Sequence, residues 1–204
     1  TVRTAAALSV EAWRQEGHAK AEVVERQATA LHPQQQLNVL IRLDPGPKTT
    51  IGMIDVEGTE HMDPEFVAWM TGLEPGREFD PDDLKLAKKR LERLGVFSIQ
   101  KIREAETLGP GATLPLTVVV QERKARRVGV GTTLSTSDGA GVEAYWLHRN
   151  LFGKAEQFKI TGAFGGLGRS TDAEKFDYLL SATLTKPGVF SPDTDLIISA
   201  YGKR

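Results

Sequence analysis

The stretch that decides the fold is "GVEAYWLHRNLFGKAEQFKITGAFGG", from Gly141 to Gly166. Apolar and polar side chains alternate in both of its arms, and turn-forming residues separate the arms, which predicts two antiparallel strands joined by a turn. No helical period follows in the same region, so the nearby sequence contains no helix that would cover the hairpin. What covers its apolar side is therefore the question that decides the class of protein.

The alternation of the hairpin extends from Arg127 to Lys203. We predict five strands of about 9–11 residues, the length that a tilted membrane-spanning strand needs. Nine of the fourteen aromatic residues follow Gly141, some of them near strand ends, as the aromatic girdle of a membrane barrel requires. The five predicted strands are 127–135, 142–149, 155–165, 176–185 and 195–203.

Two structures fit this alternation: the first sheet of a soluble antiparallel sandwich or barrel, and the start of a transmembrane β-barrel. One face of the predicted sheet carries Gly, Thr, Ser, Lys, Asp and Gln, and it requires water. The other face is apolar, and no second sheet follows for it. Lipid would satisfy it if the sheet closed with strands beyond Arg204. The residues predicted to face lipid are Phe158, Ile160, Phe164, Tyr178 and Leu180.

The first half contains a repeat with an offset of 78 positions. The shift places "WRQEGHAKAEVVERQ" on "LERLGVFSIQKIREA" and "VLIRLD" on "TVVVQE", so that Gly17 falls on Gly95. One supersecondary unit thus occurs twice, and the first copy lacks its beginning. The N-terminal residues have the pattern of an amphipathic helix entered partway, so we expect the chain to be part of a longer protein.

The second copy predicts the order strand, helix, helix, strand, strand. "TTIGMIDVEG" is the first strand, and "MDPEFVAWMTG" is a short helix capped by Asp63 and ended by Gly72. "FDPDDLKLAKKRLERLG" is a longer helix capped by Asp80. Two strands follow, near 96–106 and 116–124. Two helices on one face of a small mixed sheet form an α+β unit with a single core.

The longer helix has one apolar and one basic side. The apolar stripe is predicted to pack on the sheet. The basic face, from Lys85 to Arg93, either docks an acidic partner or lipid head groups or is simply solvated, and the solvated face is favoured. The apolar stripe consists of Leu84, Ala87, Leu91 and Leu94.

The βααββ unit resembles a POTRA domain, and the region after it resembles the start of the barrel in the BamA/TamA family of outer-membrane assembly proteins. The resemblance rests on "IGMIDVEG", on "FDPDDLKLAKKRLERLGVF", and on "RRVGVGTTLSTSDGAGVEAYWLHRNLFGKAEQFKITGAFGG", in which "HRNLFGKAE" is the most specific part. The hairpin "TKPGVFSPDTDL" and the residues around "HRNLFG" are most similar to the TamA branch, with BamA as the near alternative.

The fold class that this resemblance implies is α+β POTRA domains followed by antiparallel β-strands of a transmembrane β-barrel that is incomplete in this chain. Residues 1–47 correspond to a partial POTRA domain with a C-terminal helix and two strands. Residues 48–125 correspond to a complete POTRA domain, and residues 126–204 to the first strands of an outer-membrane barrel.

The resemblance also implies a function in inserting or translocating proteins at the bacterial outer membrane, with the POTRA domains in the periplasm. The implied partners are a TamB-like periplasmic protein or other assembly factors, unfolded outer-membrane protein clients, and outer-membrane lipid. A client strand would pair at an exposed sheet edge. The implied client edge is Ile99, Gln100, Lys101 and Ile102. The implied barrel seam is Val128, Gly129, Val130 and Gly131.

Other chemistry finds little support. The net charge of −1 and the absence of cysteine exclude nucleic-acid binding through bulk charge and thiol chemistry. "GAFGGLGRST" lacks the ending of a phosphate-binding loop and predicts a glycine-rich turn. The histidines share no metal-ligand spacing, and Asp193 and Asp195 fit a turn better than a calcium site. We therefore predict no catalytic, cofactor or metal site, and the alternative function is a soluble periplasmic or extracellular binding module.

Overall fold

A computed structural model describes residues 2–31, 36–135, 139–167 and 177–204. The chain forms two compact units. The first unit comprises Thr1–Glu57, Thr71–Lys89 and Lys101–Val119. The second unit comprises Gly58–Met70, Arg90–Gln100 and Val120–Arg204.

The chain begins with a helix and a two-stranded hairpin. Helix α1 is Val2–Gln15, and strands β1 (Glu22–Leu31) and β2 (Gln36–Asp44) pair antiparallel. The predicted N-terminal helix is confirmed, and Gly17 follows it at a φ of 89°, a conformation that glycine adopts without strain.

Next come the elements of the predicted βααββ unit. Its sheet has the order β3–β5–β4, and β3 pairs parallel with β5, so that Ile54 lies opposite Leu116. The predicted order of strand, helix, helix, strand and strand is therefore confirmed. The elements are β3 Thr50–Glu57, α2 Pro64–Thr71, α3 Pro81–Arg93, β4 Phe97–Glu104 and β5 Thr113–Glu122.

The structure places matching elements at the repeat offset. Moved by 78 positions, α1 would cover 80–93 and β2 would cover 114–122. Helix α3 is Pro81–Arg93, and β5 is Thr113–Glu122.

Side-chain caps fix where both helices of this unit begin. The carboxylate of Asp63 accepts the backbone N–H of Glu65 at 3.0 Å, and that of Asp80 accepts the N–H of Asp82 at 2.8 Å. Each bond satisfies a donor that has no partner inside the helix. The caps lie where the sequence predicts them.

The core of the first unit forms between the sheet and the apolar stripe of α3. Leu84 packs against this core and Ala87 belongs to it; Leu91 and Leu94, in the second unit, are also buried. Packing of the predicted stripe on the sheet is therefore confirmed for Leu84 and Ala87, and Leu91 and Leu94 are buried. The buried cluster of the first unit is Ala19, Ile51, Leu73, Phe79, Ala87, Leu114 and Leu116.

The second unit contains an antiparallel sheet in which each strand pairs with the next along the chain, in the order β10–β9–β8–β7–β6. The five predicted strands are confirmed, with bounds that differ from the expected ones by a few residues. They are β6 Arg126–Ser135, β7 Gly139–His148, β8 Gln157–Leu167, β9 Asp177–Lys186 and β10 Leu196–Lys203.

The register divides this sheet into two different faces, since residues directly opposite each other point to the same side. One row across the sheet is Val128, Trp146, Ile160, Ala182 and Ala200. This row is apolar throughout. The next row, on the opposite face, is Gly129, Tyr145, Thr161, Ser181 and Tyr201.

The glycine-rich stretch "GAFGGLGRST" is not simply a turn. Residues 162–167 belong to β8, where Phe164 lies among small residues and continues the apolar face of the strand, and residues 168–171 lie outside the described part of the chain. The prediction of a turn is therefore wrong for its first six residues. No helix in the described part of the chain is long and apolar enough to cross a membrane.

Candidate functional site

The implied client edge lies on β4, at one side of its three-stranded sheet. Within the described residues β4 has β5 as its strand neighbour, so its other side presents backbone groups without a strand partner. Ile99 and Lys101 are exposed, and Ile102 packs against the core of the first unit. An extended peptide could add to this side as a further strand.

Contacts from the N-terminal segment restrict the accessible part of this edge. Arg14 forms an ion pair with Glu104 at 2.5 Å, and Lys20 donates a hydrogen bond to the carbonyl of Ala105 at 2.5 Å. These contacts lie at the C-terminal end of β4. The part of the edge left open to a partner is therefore the beginning and middle of the strand.

The implied barrel seam lies on the edge strand β6 of the five-stranded sheet. Val128 and Val130 belong to the apolar face, and Gly129 and Gly131 belong to the opposite face. The two glycines differ in their surroundings. A Cβ at Gly129 would lie 2.3 Å from the Tyr145 ring, whereas nothing lies within 4 Å of one at Gly131.

The Tyr145 ring therefore covers the backbone at Gly129. Lys159 lies 5.0 Å and Arg127 lies 5.8 Å from the ring centroid, and both cations interact favourably with its face. Glycine at this position allows an aromatic ring to lie across the edge strand, a known way of stabilising such glycines.

We expect Gly129→Ala to destabilise the sheet by about 1–3 kcal/mol, because the methyl group must displace the ring of Tyr145. Gly131→Ala is the matched control on the same strand and face, and it should stay within about 0.5 kcal/mol. Urea unfolding of the refolded chain in neutral detergent measures both. Equal losses from the two variants would contradict the proposed role of the ring.

The residues predicted to face lipid all lie on the apolar face. Phe158, Ile160 and Phe164 are on β8, and Tyr178 lies opposite Phe164 on β9. Leu180 remains 62% exposed. The structure thus brings the five residues to one surface, and their contact with lipid stays a prediction.

The turn between β7 and β8, residues 149–156, contacts the segment before α2. It contains most of the stretch on which the family resemblance is most specific. The amide of Asn150 donates to the carbonyl of His61 at 3.1 Å, and the carbonyl of Gly153 accepts the N–H of Asp63 at 2.8 Å. Gly153 has a φ of 94°, which favours glycine there. These contacts account for Asn150 and Gly153, two residues of this turn.

The buried carboxylate of Glu156 stabilises the conformation of the β7–β8 turn. Glu156 is 6% exposed and accepts the backbone N–H groups of Phe152 at 3.3 Å and Lys154 at 3.0 Å. A buried carboxylate requires such donors. Asn150 adds a further bond by accepting the N–H of Ala155 at 3.1 Å.

Glu122, at the end of β5, fixes the segment that this turn contacts. The N–H groups of Glu60, His61 and Met62 all donate to its Oε1 at 2.8–2.9 Å. Burial alone would raise the pKa of Glu122, but these donors outweigh it and hold the pKa below its ordinary value. Residues 60–62 are therefore anchored by one ionised side chain.

The turn between β9 and β10, residues 187–195, contacts the end of α3. Arg90 binds the carboxylate of Asp193 with two donors, one of them at 2.8 Å, and is only 16% exposed. Arg93 pairs with Asp195 at 3.4 Å. The prediction of a simply solvated basic face is wrong for these two arginines, because their acidic partners come from the same chain.

Close packing accompanies this ion-pair cluster. Gly188 has a φ of 64°, and a Cβ there would lie 2.6 Å from the Trp69 ring and 2.7 Å from the Met70 sulfur. The amide of Gln157 donates to the carbonyl of Leu94 at 2.8 Å. Both turns at this end of the sheet are therefore held by specific contacts to residues 60–70 and 90–95.

In the described part of the chain, no group of three or more histidines and carboxylates is arranged to hold a metal ion. His18 contacts the carbonyl of Gly46 at 2.8 Å, and His61 lies 3.5 Å from the carboxylate of Glu122. His148 lies beside Trp146. His32 lies outside the described residues.

Comparison with known proteins connects this architecture to a recognised domain. Residues 49–123 match the POTRA family model, described as a surface antigen variable number repeat. A search of curated proteins found no match. The family match covers the βααββ unit, which is therefore a POTRA domain.

Solved structures share the fold over almost the whole chain. BamA from Haemophilus ducreyi lacking POTRA domains 1–3 matches with a TM-score of 0.77 at 16% identity, over 99% of this chain and 36% of that one. CdiB from Escherichia coli matches with a TM-score of 0.57 at 11% identity, over 91% of this chain and 33% of that one. The chain thus spans about a third of each.

A third solved structure with a similar fold consists of POTRA domains. Haemophilus influenzae BamA POTRA3–5 matches with a TM-score of 0.53 at 17% identity, over 59% of this chain and 47% of that one. The fold of this chain is therefore that of POTRA-type α+β structure followed by antiparallel strands like those of BamA.

Proposed function

We propose that the protein is a component of outer-membrane protein assembly or translocation, with its POTRA domains in the periplasm and its antiparallel sheet in the outer membrane. The observation that carries this proposal is a POTRA domain followed directly by a sheet with one continuous apolar face. A POTRA domain alone would fit several roles. The apolar sheet after it favours those roles in which the protein contacts lipid.

The exposure of the apolar face supports the membrane assignment. Val130 is 72%, Leu134 is 86% and Ile198 is 57% exposed. Soluble monomers rarely expose a large contiguous apolar surface, because water penalises it. In a barrel this face meets acyl chains, while the face with threonine, serine and lysine meets the aqueous interior.

The mechanism we propose is strand addition. Backbone groups along β6, in the seam from Val128 to Gly131, would pair with a client strand before it enters the membrane. The open part of β4, from Ile99 to Ile102, offers a second edge for a client or partner segment. Main-chain hydrogen bonds supply affinity without requiring one client sequence, which suits a protein with many clients.

The same proposal includes the partners of the protein and its branch within the BamA/TamA family. The TamA-like hairpin around residues 185–196 favours the TamA branch over BamA, and it would bring a TamB-like periplasmic partner. Clients would be unfolded outer-membrane proteins. The work is binding and templating, so the proposed protein is not an enzyme and uses no cofactor.

Locking the seam tests this proposal. The sequence contains no cysteine, so a single cysteine at Val128 or Val130 can be paired with one in the last strand of the full-length barrel. We expect oxidation to stop client insertion and reduction to restore it, because the client needs the edge that the disulfide closes. Insertion of a radiolabelled client into proteoliposomes measures the rate.

A second disulfide provides the control for oxidation itself. Thr161 and Ser181 lie opposite each other on the paired strands β8 and β9, so joining them closes no edge. That variant should insert clients at the wild-type rate in either redox state. If the locked seam also leaves the rate unchanged, strand addition at β6 is not the mechanism.

A further inference from the structure

A cationic cleft lies where β6 begins and β7 ends, within the second unit. Its volume is about 540 Å³. Four cationic side chains and two carboxylates contribute to its walls. The cations are Arg123, Lys124, Arg126 and Arg149, and the carboxylates are those of Glu60 and Glu122.

The positive charge of this cleft is only partly neutralised. Oxygen Oε1 of Glu122 already accepts three backbone N–H groups. Arg149 donates to the carbonyl of Lys124 at 2.9 Å, which leaves its charge unneutralised. Lys124 and Arg126 form no ion pair within the described residues. An anion entering the cleft would therefore find donors that are not already bound to carboxylates.

Repulsion between neighbouring arginines also favours an anion in this cleft. Burial lowers the pKa of Arg149, and the neighbouring Arg127 and Arg123 lower it further. Arginines held together in this way favour an anion between them, because it relieves their mutual repulsion. The guanidinium group can also bind two oxygens of a phosphate at once.

The cleft adjoins the end of the apolar face. Arg126 lies opposite His148, two rows beyond the apolar pair of Val128 and Trp146 and therefore on the same face of the sheet. Trp146 packs against His148 with ring centroids 6.0 Å apart, and against Phe158 at 6.3 Å. Aromatic residues beside cations at the end of an apolar surface are typical of the boundary between acyl chains and head groups.

We propose that this cleft binds the phosphate head group of an anionic phospholipid such as phosphatidylglycerol, with the acyl chains lying along Val128, Trp146 and Phe158. The proposal rests on the proposed function, since it requires the apolar face to meet lipid. A free phosphate ion would satisfy the cations but would make no use of the adjoining apolar surface. A zwitterionic lipid would carry a second, positive charge towards the same arginines.

The test titrates short-chain dihexanoyl lipids into the 204-residue chain in a neutral maltoside detergent, followed by calorimetry. The ligands are the phosphatidylglycerol, the phosphatidylcholine and inorganic phosphate. The variant Lys124→Gln/Arg126→Gln removes two cations that have no ion pair in the described structure. We expect it to weaken phosphatidylglycerol binding about thirtyfold, and to change phosphatidylcholine binding little.

A charge-matched control separates the cleft from the overall charge. The variant Arg26→Gln/Lys89→Gln removes two exposed cations elsewhere and should bind phosphatidylglycerol like the wild type. Equal losses in both double variants, or equal wild-type affinities for the two lipids, would overturn the proposal. Inorganic phosphate binding as tightly as phosphatidylglycerol would overturn the assignment to a lipid.

A separate measurement tests the proposed function alone. The chain should float with vesicles of pure phosphatidylcholine, which have no net charge, if the apolar face enters lipid. Failure to float would contradict the membrane assignment. The detergent titration would still measure head-group binding, because it does not require the chain to enter a bilayer. Flotation combined with equal affinity for both lipids would instead retain the membrane assignment and reject the head-group site.

Discussion

Leu91→Ala should lower the free energy of unfolding of a polypeptide of residues 49–125 by about 2–5 kcal/mol. Leu91 lies on α3 and is fully buried. Truncation removes its apolar contacts and leaves a cavity that neighbouring side chains fill only in part. Urea denaturation followed by circular dichroism measures the change at constant pH.

Lys89→Ala is the matched control for this prediction. Lys89 lies two positions earlier on the same helix and is exposed, so its replacement should change the unfolding free energy by less than about 0.5 kcal/mol. Alanine has the higher helix propensity at both positions, so propensity does not separate the two variants. A loss of unfolding free energy from Leu91→Ala that is as small as the loss from Lys89→Ala would show that burial of Leu91 contributes little to this domain.

The features that the sequence predicts well are local ones. Asp63 and Asp80 cap helices because a short acceptor precedes a proline and a helical period, and both caps are present. The five strands of the second unit follow from their period of two. The sequence also indicates which residues share the apolar face, because the strands are joined in order and their register keeps the alternation in phase.

The features that it predicts poorly are contacts between distant segments. Arg90 and Asp193 are 103 positions apart, and each looks like an ordinary surface or turn residue in its own context. No local pattern indicates that the β9–β10 turn would supply the acidic partner of a basic helix. Gly129 likewise lies under the ring of Tyr145 only because of the register between β6 and β7.

The specific composition of "HRNLFGKAE" is a signal of a different kind. It marks the turn as unusual but does not indicate what the turn contacts. In the structure Asn150 and Gly153 contact residues 61–63, which Glu122 holds in place. A carboxylate at the end of a strand has no sequence pattern that would identify it as such an anchor.

Glu122 is therefore the residue whose replacement tests this anchoring. Glu122→Ala removes the acceptor of three backbone N–H groups at 2.8–2.9 Å. We expect a loss of about 2–4 kcal/mol in the unfolding free energy of residues 49–125, because bonds to an ionised acceptor are stronger than neutral ones and the N–H of Met62 is partly buried. Glu74→Ala, at an exposed glutamate, is the control and should cost less than about 0.5 kcal/mol.

The pH dependence of stability separates the charge of Glu122 from its shape. The pKa of Glu122 is lowered in the folded protein, so its contribution is fully present above the ordinary pKa of glutamate and is lost as the pH falls through the lowered value. Glu122→Gln keeps the shape and one acceptor but cannot ionise. We expect the stability difference between wild type and Glu122→Gln to be constant from about pH 6 to pH 8 and to shrink steadily below about pH 4.5. A difference that stays the same down to pH 3 would mean that the ionised carboxylate is not what holds residues 60–62.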